Sequence, residues 1–434
     1  MRASVDAVTD TLDLADLADR AFGWIASVAV DAEGGLAWLE DGTVADLLYS
    51  GTAGVLLGCT EATAAGIDTG QVPAGALGRL RYLADHGPGA TTMEDDGLFT
   101  GWAGAAVALR AWSAATEDAA AAGTAARITA QVAGRVLAGV DGPPGYTDII
   151  SGDAGVLLAL IADDSGVAEQ AAHVLAGRLA EAAEPGPDGP QWRMVAGWPS
   201  IQPGFSHGTA GAAYALAAAG RALHRSDLLD AATRGAETLL AIGHHPDGWA
   251  VPLVIPPQSH RPAVFYGWCH GPAGTVRLFV LLNEIDPQPR WQRAIDACLQ
   301  ALRDSRLPQR LYPGYWDNLA RCCGTAGVGQ LLLDRYQATG DPALLDWAGT
   351  LAADVASRTV TTPQGVTWSN TEHTATPPEL PPEPGFMQGA AGIAGWLARL
   401  HALRTRPGPP ASVPRPGPPW VWRWQAAAGG RREA

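Results

Sequence analysis

Seven times along its 434 residues the chain repeats one short pattern. An aromatic or small residue precedes Gly-x-x-Gly, and a run of small and aliphatic residues follows. The segments are YSGTAGVLLG (Gly51, Gly54), FTGWAGAAVAL (Gly101, Gly104), IISGDAGVLLAL (Gly152, Gly155) and FSHGTAGAAYALA (Gly208, Gly211). WCHGPAGTVRLF (Gly271, Gly274), CCGTAGVGQLLL (Gly324, Gly327) and FMQGAAGIAGWLARL (Gly389, Gly392) complete the set. In all seven the residue before the second glycine is Ala, and successive first glycines lie 50 to 65 residues apart. A fixed period of that length means one supersecondary unit copied in series, each unable to bury its apolar face alone.

The unit reads as two helices. After Gly211 comes AAYALAAAGRAL, then a break, then SDLLDAATRGAETLLAIG, where Ser226 is placed to cap the second helix. Similar pairs follow Gly271 and Gly324. The first helix of each pair is apolar nearly all round and so is buried; the second is amphipathic and keeps one face in water. The terminal repeats are not strongly polar, as an open solenoid would require. The expected fold is therefore all-α: an α/α toroid of seven helical hairpins, with seven inner and seven outer helices. Glycines three apart share a face at each inner helix start, where they would let inner helices converge without side-chain collision.

Converging helix N-termini bring free N–H groups and partial positive charge to one hub, which favours an anion there. The residues just before each first glycine should line it: Ser50, Thr100, Ser151, His207, His270, Cys323 and Gln388. Cys269 and Cys322 stand one position further back. Three thiol ligands with one open position make a catalytic zinc pattern, since a closed structural site takes four. The competing reading is a set of small buried thiols, or a vicinal disulfide across Cys322 and Cys323. Cys59 and Cys298 lie away from any motif and read as core residues.

His207 and His270 are each a potential zinc ligand or acid/base group, and His270 alternatively only orients the Cys269 loop. Asp148, four residues before Gly152, either caps a turn or hydrogen-bonds an imidazole and holds its tautomer. The other histidines (86, 173, 224, 244, 245, 260, 373, 401) fall in linkers or outer helices and read as surface groups.

Composition removes whole chemistries. All 29 basic residues are Arg; there is no Lys. Schiff-base enzymes and lysine aldolases are excluded, as is an ordinary phosphate loop. A net charge of -15 argues against a nucleic-acid surface. Five cysteines, an odd number, do not suit a secreted disulfide framework, and the N-terminus lacks an apolar signal core. The expected location is a reducing cytoplasm, and no stretch is long and apolar enough to span a membrane.

With these motifs in place the chain, over roughly residues 40 to 403, resembles the lanthionine synthetase C-like family. The resemblance implies a seven-hairpin toroid with one zinc ion in its central cavity. It implies a cyclase that adds peptide cysteine thiols to dehydroalanine or dehydrobutyrine, forming lanthionine rings in a ribosomally made precursor. The implied partners are that dehydrated peptide and a separate dehydratase. Family ligands are a Cys in the fifth motif and a Cys-His pair in the sixth. Cys269 and Cys322 match, and Cys323 replaces the usual His, as in a three-Cys subgroup. The family's acid/base His and its Asp map onto His207 and Asp148. A family Arg four residues before the fifth-motif Cys is Phe265 here, which Arg261 replaces only if its loop folds back. Other readings are a non-catalytic zinc scaffold for peptides or thiols, and glutathione addition to dehydroamino acids. A toroidal glycosidase would need paired carboxylates in the cavity, and acids near the motifs are sparse (Asp148, Asp153).

The toroid domain is expected to span residues 1–403. The Pro-rich stretches 183–204, 250–262 and 375–385 read as loops over the cavity mouth. The Pro/Arg-rich tail 404–434, ending WVWRWQAAAGGRREA, reads as disordered, with WVWRW a possible docking element.

Overall fold

The computed structural model describes residues 13–87, 93, 95–140, 145–243, 249–259, 261–309, 318–371, 376–377 and 379–406. Inner helices α2 (Thr52–Ala65), α4 (Trp102–Thr116), α6 (Asp153–Leu160), α8 (Thr209–Ala222), α10 (Pro272–Ile285), α12 (Thr325–Thr339) and α14 (Ala390–Thr405) each start just after a repeat's first glycine. Outer helices are α1 (Leu14–Ser27), α3 (Val72–His86), α5 (Ala119–Leu137), α7 (Gly166–Glu181), α9 (Ser226–Ile242), α11 (Pro289–Asp304) and α13 (Pro342–Ser357). The two rings behave as their compositions require. α8 is buried without a break from Thr209 to Gly220. α11 buries Trp291, Ala294, Ile295, Cys298, Ala301 and Leu302, the one-sided spacing of an amphipathic helix. Outer helices carry the side-chain caps: Asp13, Asp118 and Asp341 accept from the first-turn N–H groups of α1, α5 and α13. Ser226 does not cap α9. It is the first helical residue, and Arg225 occupies the cap position.

Each inner helix packs on the next, and α14 packs on α2, so the toroid is closed. The seventh hairpin is assembled from both ends of the chain. The final inner helix α14 finds its outer partner in α1, the N-terminal helix. α14 extends to Thr405, past residue 403, and residues 407–434, including WVWRW, lie outside the described residues.

A three-stranded antiparallel meander and two hairpins decorate connections from an outer helix to the next inner one. They are β1 (Val30–Ala32), β2 (Gly35–Glu40) and β3 (Thr43–Ala45); β4 (Glu184–Gly186) and β5 (Gly189–Gln191); and β6 (Val360–Thr362) and β7 (Gly365–Thr367). The stretch 183–204, read as loop, thus holds a hairpin. Each of the three carries a buried Trp whose indole N–H donates thirteen residues back, to a carbonyl near the end of the preceding outer helix. Trp38 donates to Ile25 (2.9 Å), Trp192 to Leu179 (2.7 Å) and Trp368 to Val355 (2.9 Å). Carbonyls in a last helical turn lose their usual partners four residues on, and the indoles supply donors there, in addition to Arg358 N–H at Val355.

The glycines work differently from the expectation. All seven second glycines face the carbonyl oxygen of the residue six back, which a Cβ would approach to 1.8–2.4 Å. Neighbouring loops also press in: a Cβ on Gly104 would lie 2.8 Å from the Leu48 Cβ. The missing side chain makes room for the fold-back of each incoming loop, and the inner helices are not what it avoids.

Those loops join in a belt of backbone hydrogen bonds. Tyr49 N–H donates to Phe99 (3.0 Å), and Phe99 to Ile150 (2.9 Å). Ile149 donates to Ser206 (3.1 Å), Ser206 to Cys269 (2.8 Å) and Cys269 to Cys322 (3.2 Å). Cys322 then donates to Met387 (2.9 Å), and Met387 closes the belt on Tyr49 (2.8 Å). Six of the seven donors, and every acceptor, lie two residues before a repeat's first glycine. The belt fixes seven loops at the hub, on the face where the inner helices begin.

Candidate metal centre and its rim

Belt positions in the fifth and sixth repeats are Cys269 and Cys322, and Cys323 follows directly. The three sulfurs lie within 4.8 Å of one another, with Cys269 and Cys323 Sγ atoms 3.6 Å apart. All five cysteines are free, so no vicinal disulfide joins Cys322 and Cys323. Around a tetrahedral zinc at about 2.3 Å, sulfur ligands sit about 3.8 Å apart. The donor set therefore fits zinc. Proton chemistry points the same way. Hydrogen bonds from Cys269 and Cys322 hold the Cys323 thiol well below its ordinary value. Hydrogen bonding to Cys322 and Cys323, with burial, pushes Cys269 well up, and Cys322 is also raised. Of the three thiols, Cys323 gives up its proton most readily. A divalent cation would release the remaining protons.

Cys323 is the half-buried member and Cys269 and Cys322 are buried, so Cys323 is the most accessible of the three. Gln388 Nε2 donates to Cys323 Sγ (3.4 Å) and to the Tyr49 hydroxyl (3.1 Å). Asn318 Nδ2 holds the Gln388 carbonyl oxygen (3.1 Å). Burial, then the nearby Cys322 and Cys323 sulfurs, raises the Tyr49 phenol well above its usual range. It therefore stays a neutral hydrogen-bonding group at the cluster. Sequence reading missed Tyr49 and Asn318. Tyr49 had a signal: it occupies the same motif position as Cys269 and Cys322.

Across the rim stands His207. Its Nδ1 lies 2.5 Å from Asp148 Oδ2. The other Asp148 oxygen accepts from Ser151 N–H (3.0 Å), so this carboxylate both caps its turn and orients the imidazole. Buried as it is, at 2% exposure, Asp148 is committed to these two tasks. With Nδ1–H given to Asp148, Nε2 is the nitrogen left for a substrate. The His207 side chain is 28% exposed, so a substrate can reach it.

His270 bridges the two halves. Its ring centroid is 5.7 Å from that of His207. Burial, and next the neighbouring His207, lowers it to about 4, so it is a neutral imidazole. Phe265 meets His270 edge-on at 6.1 Å. Arg261 is exposed, and its charge adds to the lowering of His270 after burial and His207. Cys59 and Cys298 are fully buried core residues, as expected. His86 and His224 are exposed and His173 is half-buried. His401 is half-buried on inner helix α14; histidines 244, 245, 260 and 373 lie outside the described residues.

Comparison with known proteins agrees with this architecture. Residues 43–407 match the family model described as lanthionine synthetase C-like protein, and the chain belongs to that family. Among solved structures it is similar to nisin cyclase, with 14% identity and a TM-score of 0.57, over 81% of this chain and 88% of that one. A structure described as "UGL_D88N/dGlcA-Glc-Rha-Glc" matches at 16% identity and a TM-score of 0.50, over 94% of this chain and 98% of that one. At these identities the likeness shows the fold alone. No curated protein matches the sequence. Among the described residues no helix is long and apolar enough to cross a membrane.

Proposed function

We propose that this protein closes thioether rings in a ribosomally made precursor peptide, adding cysteine thiols to dehydroalanine or dehydrobutyrine. One observation carries the reading: three clustered sulfurs share a rim with an Asp-held imidazole, in a chain of the lanthionine synthetase C-like family. Zinc held by Cys269, Cys322 and Cys323 would favour the thiolate form of a substrate cysteine at a fourth position.

The reaction adds S–H across a C=C bond. A C–S bond forms at the β-carbon, the π pair moves toward the α-carbon and its carbonyl, and a proton returns to the α-carbon. His207 is assigned the proton, held at Nε2. Asp148 keeps Nδ1–H in place and stabilises the imidazolium that proton movement creates. Gln388, held by Asn318, donates to Cys323 and limits its basicity. His270, neutral and beside both groups, lines the space between them. The dehydration that makes the acceptor is assigned to a separate enzyme. The free thiols suit a reducing compartment such as the cytoplasm.

The test uses purified zinc-loaded protein and a synthetic peptide holding one cysteine and one dehydroalanine. Alkylation followed by mass spectrometry should show the free thiol disappear without a change in peptide mass. His207→Ala should keep its zinc and lose about 10²–10⁴-fold in rate. A wild-type protein that leaves the thiol alkylatable, or a His207→Ala variant at full rate, would refute the assignment.

A further inference from the structure

A cavity of about 380 Å³ opens beside the rim, between the third repeat and the β4–β5 hairpin. That is the size range of small-ligand pockets. Its lining includes Ser151 and Gly152, and Ser151 N–H binds Asp148. Its walls are mainly apolar: Val136 and Val140 at the end of α5, Val156 on α6, Leu175 on α7, Ala182 and Ala196. One wall is rigid. Gly145–Thr147 pairs with Met194–Ala196 through Thr147 N–H to Met194 (3.0 Å) and Ala196 N–H to Gly145 (3.3 Å).

The charged groups at its edge already have partners. Arg135 holds Asp96 (2.9 Å), Arg178 holds Asp153 (2.6 Å), and Arg193 holds Glu184 in three bonds of 2.9–3.1 Å. Such pairs offer little to a charged ligand, so the cavity suits an uncharged, apolar one. Large apolar side chains on and next to the same elements are left in water: the cavity-lining Val140 (56% exposed), Leu137 (42%) on α5, Val174 (46%) on α7, and Trp198 (43%) just past the paired wall. Exposed apolar side chains on the elements that line a cavity favour an apolar contact there.

We infer that this cavity anchors an aliphatic or aromatic side chain of the substrate peptide's flank, while the reacting residues lie at the rim. Continuity selects that occupant over a free small molecule. Ser151 and Gly152 line the cavity, and Ser151 N–H binds the Asp148 carboxylate that orients His207, so cavity and imidazole are joined through one turn. Such an anchor raises the effective concentration of reacting groups without fixing which thiol and alkene meet. One site could then close several rings in succession. The inference rests on the cyclase reading for the identity of the peptide, and not for the cavity itself.

The experiment measures binding by fluorescence anisotropy with full-length protein. Two labelled synthetic peptides share a Cys/dehydroalanine core and differ at one flank position, Leu in one and Ser in the other. Wild type should bind the Leu peptide about tenfold more tightly, as expected for burying one such side chain. Val140→Asp and Ala182→Trp, checked for helicity and zinc content, should abolish that preference. No Leu preference in wild type, or a preference kept by both variants, would overturn the inference. Displacement of the Leu peptide by a synthetic peptide of residues 407–434 would give the cavity to the chain's own tail and overturn it too. A wild type that prefers Leu yet never consumes the thiol would sink the cyclase reading and leave the anchor standing.

Discussion

Asp148 uses one oxygen for a backbone N–H and the other for His207, so replacing it tests positioning separately from metal binding. Asp148→Asn keeps the shape of the side chain but presents an amide where a carboxylate favoured Nδ1–H. Cyclisation should fall by up to the whole His207 contribution, about 10²–10⁴-fold. Zinc content and thermal midpoint should stay near wild type, and the pH–rate profile should change with the loss of the charge partner. Unchanged turnover with an unchanged profile would reduce Asp148 to a turn cap. At this scale the sequence exposed groups that sit at fixed offsets from a repeated glycine: Cys269, Cys322, Cys323, His207 and Asp148. Tyr49 and its donor Gln388 are 339 residues apart, and only ring closure makes them neighbours. No local pattern records such a meeting.

The helices were legible because burial imposes the period: all-round apolar for the inner ring, one-sided for the outer. The three Trp anchors were not, although Gly35, Gly189 and Gly365 each precede a Trp by three residues. Their role depends on where the previous outer helix ends, which a tryptophan's own neighbourhood does not state. Trp192→Phe should keep most of the apolar contact and leave the Leu179 carbonyl without its donor. Losing a buried partner costs about 1–3 kcal/mol, read as a lower denaturation midpoint. Trp198→Phe, at an exposed site, is the control and should leave the midpoint unchanged. Equal midpoints for the two variants would show that the indole bond is not holding the hairpin to its helix. The glycines teach a related lesson. Their spacing was plain, but the atoms that exclude a side chain are loop carbonyls six residues back, and a sequence does not display a fold-back.

The whole molecule is a ring whose two chain ends supply one hairpin, α1 against α14. Ionic groups buried in the wall also join distant repeats. Arg321, next to Cys322, binds Glu61 on α2, and Asp334 on α12 meets Arg277 on α10 (3.4 Å) and Arg399 on α14 (2.8 Å). Removing one member of such a set leaves an uncompensated charge, so these pairs constrain which repeats can be neighbours. Seven repeats predicted the toroid, yet the first forty residues carry no motif and gave no sign that α1 completes it. Closure matters to the chemistry because the backbone belt runs through Cys269 and Cys322 and sets their separation. X-ray absorption with metal analysis on purified protein addresses that consequence most directly. The expected result is one zinc per chain with three sulfur neighbours at about 2.3 Å, lost in Cys269→Ala. Zinc-free protein, or a Cys269→Ala variant that retains a full equivalent, would contradict it.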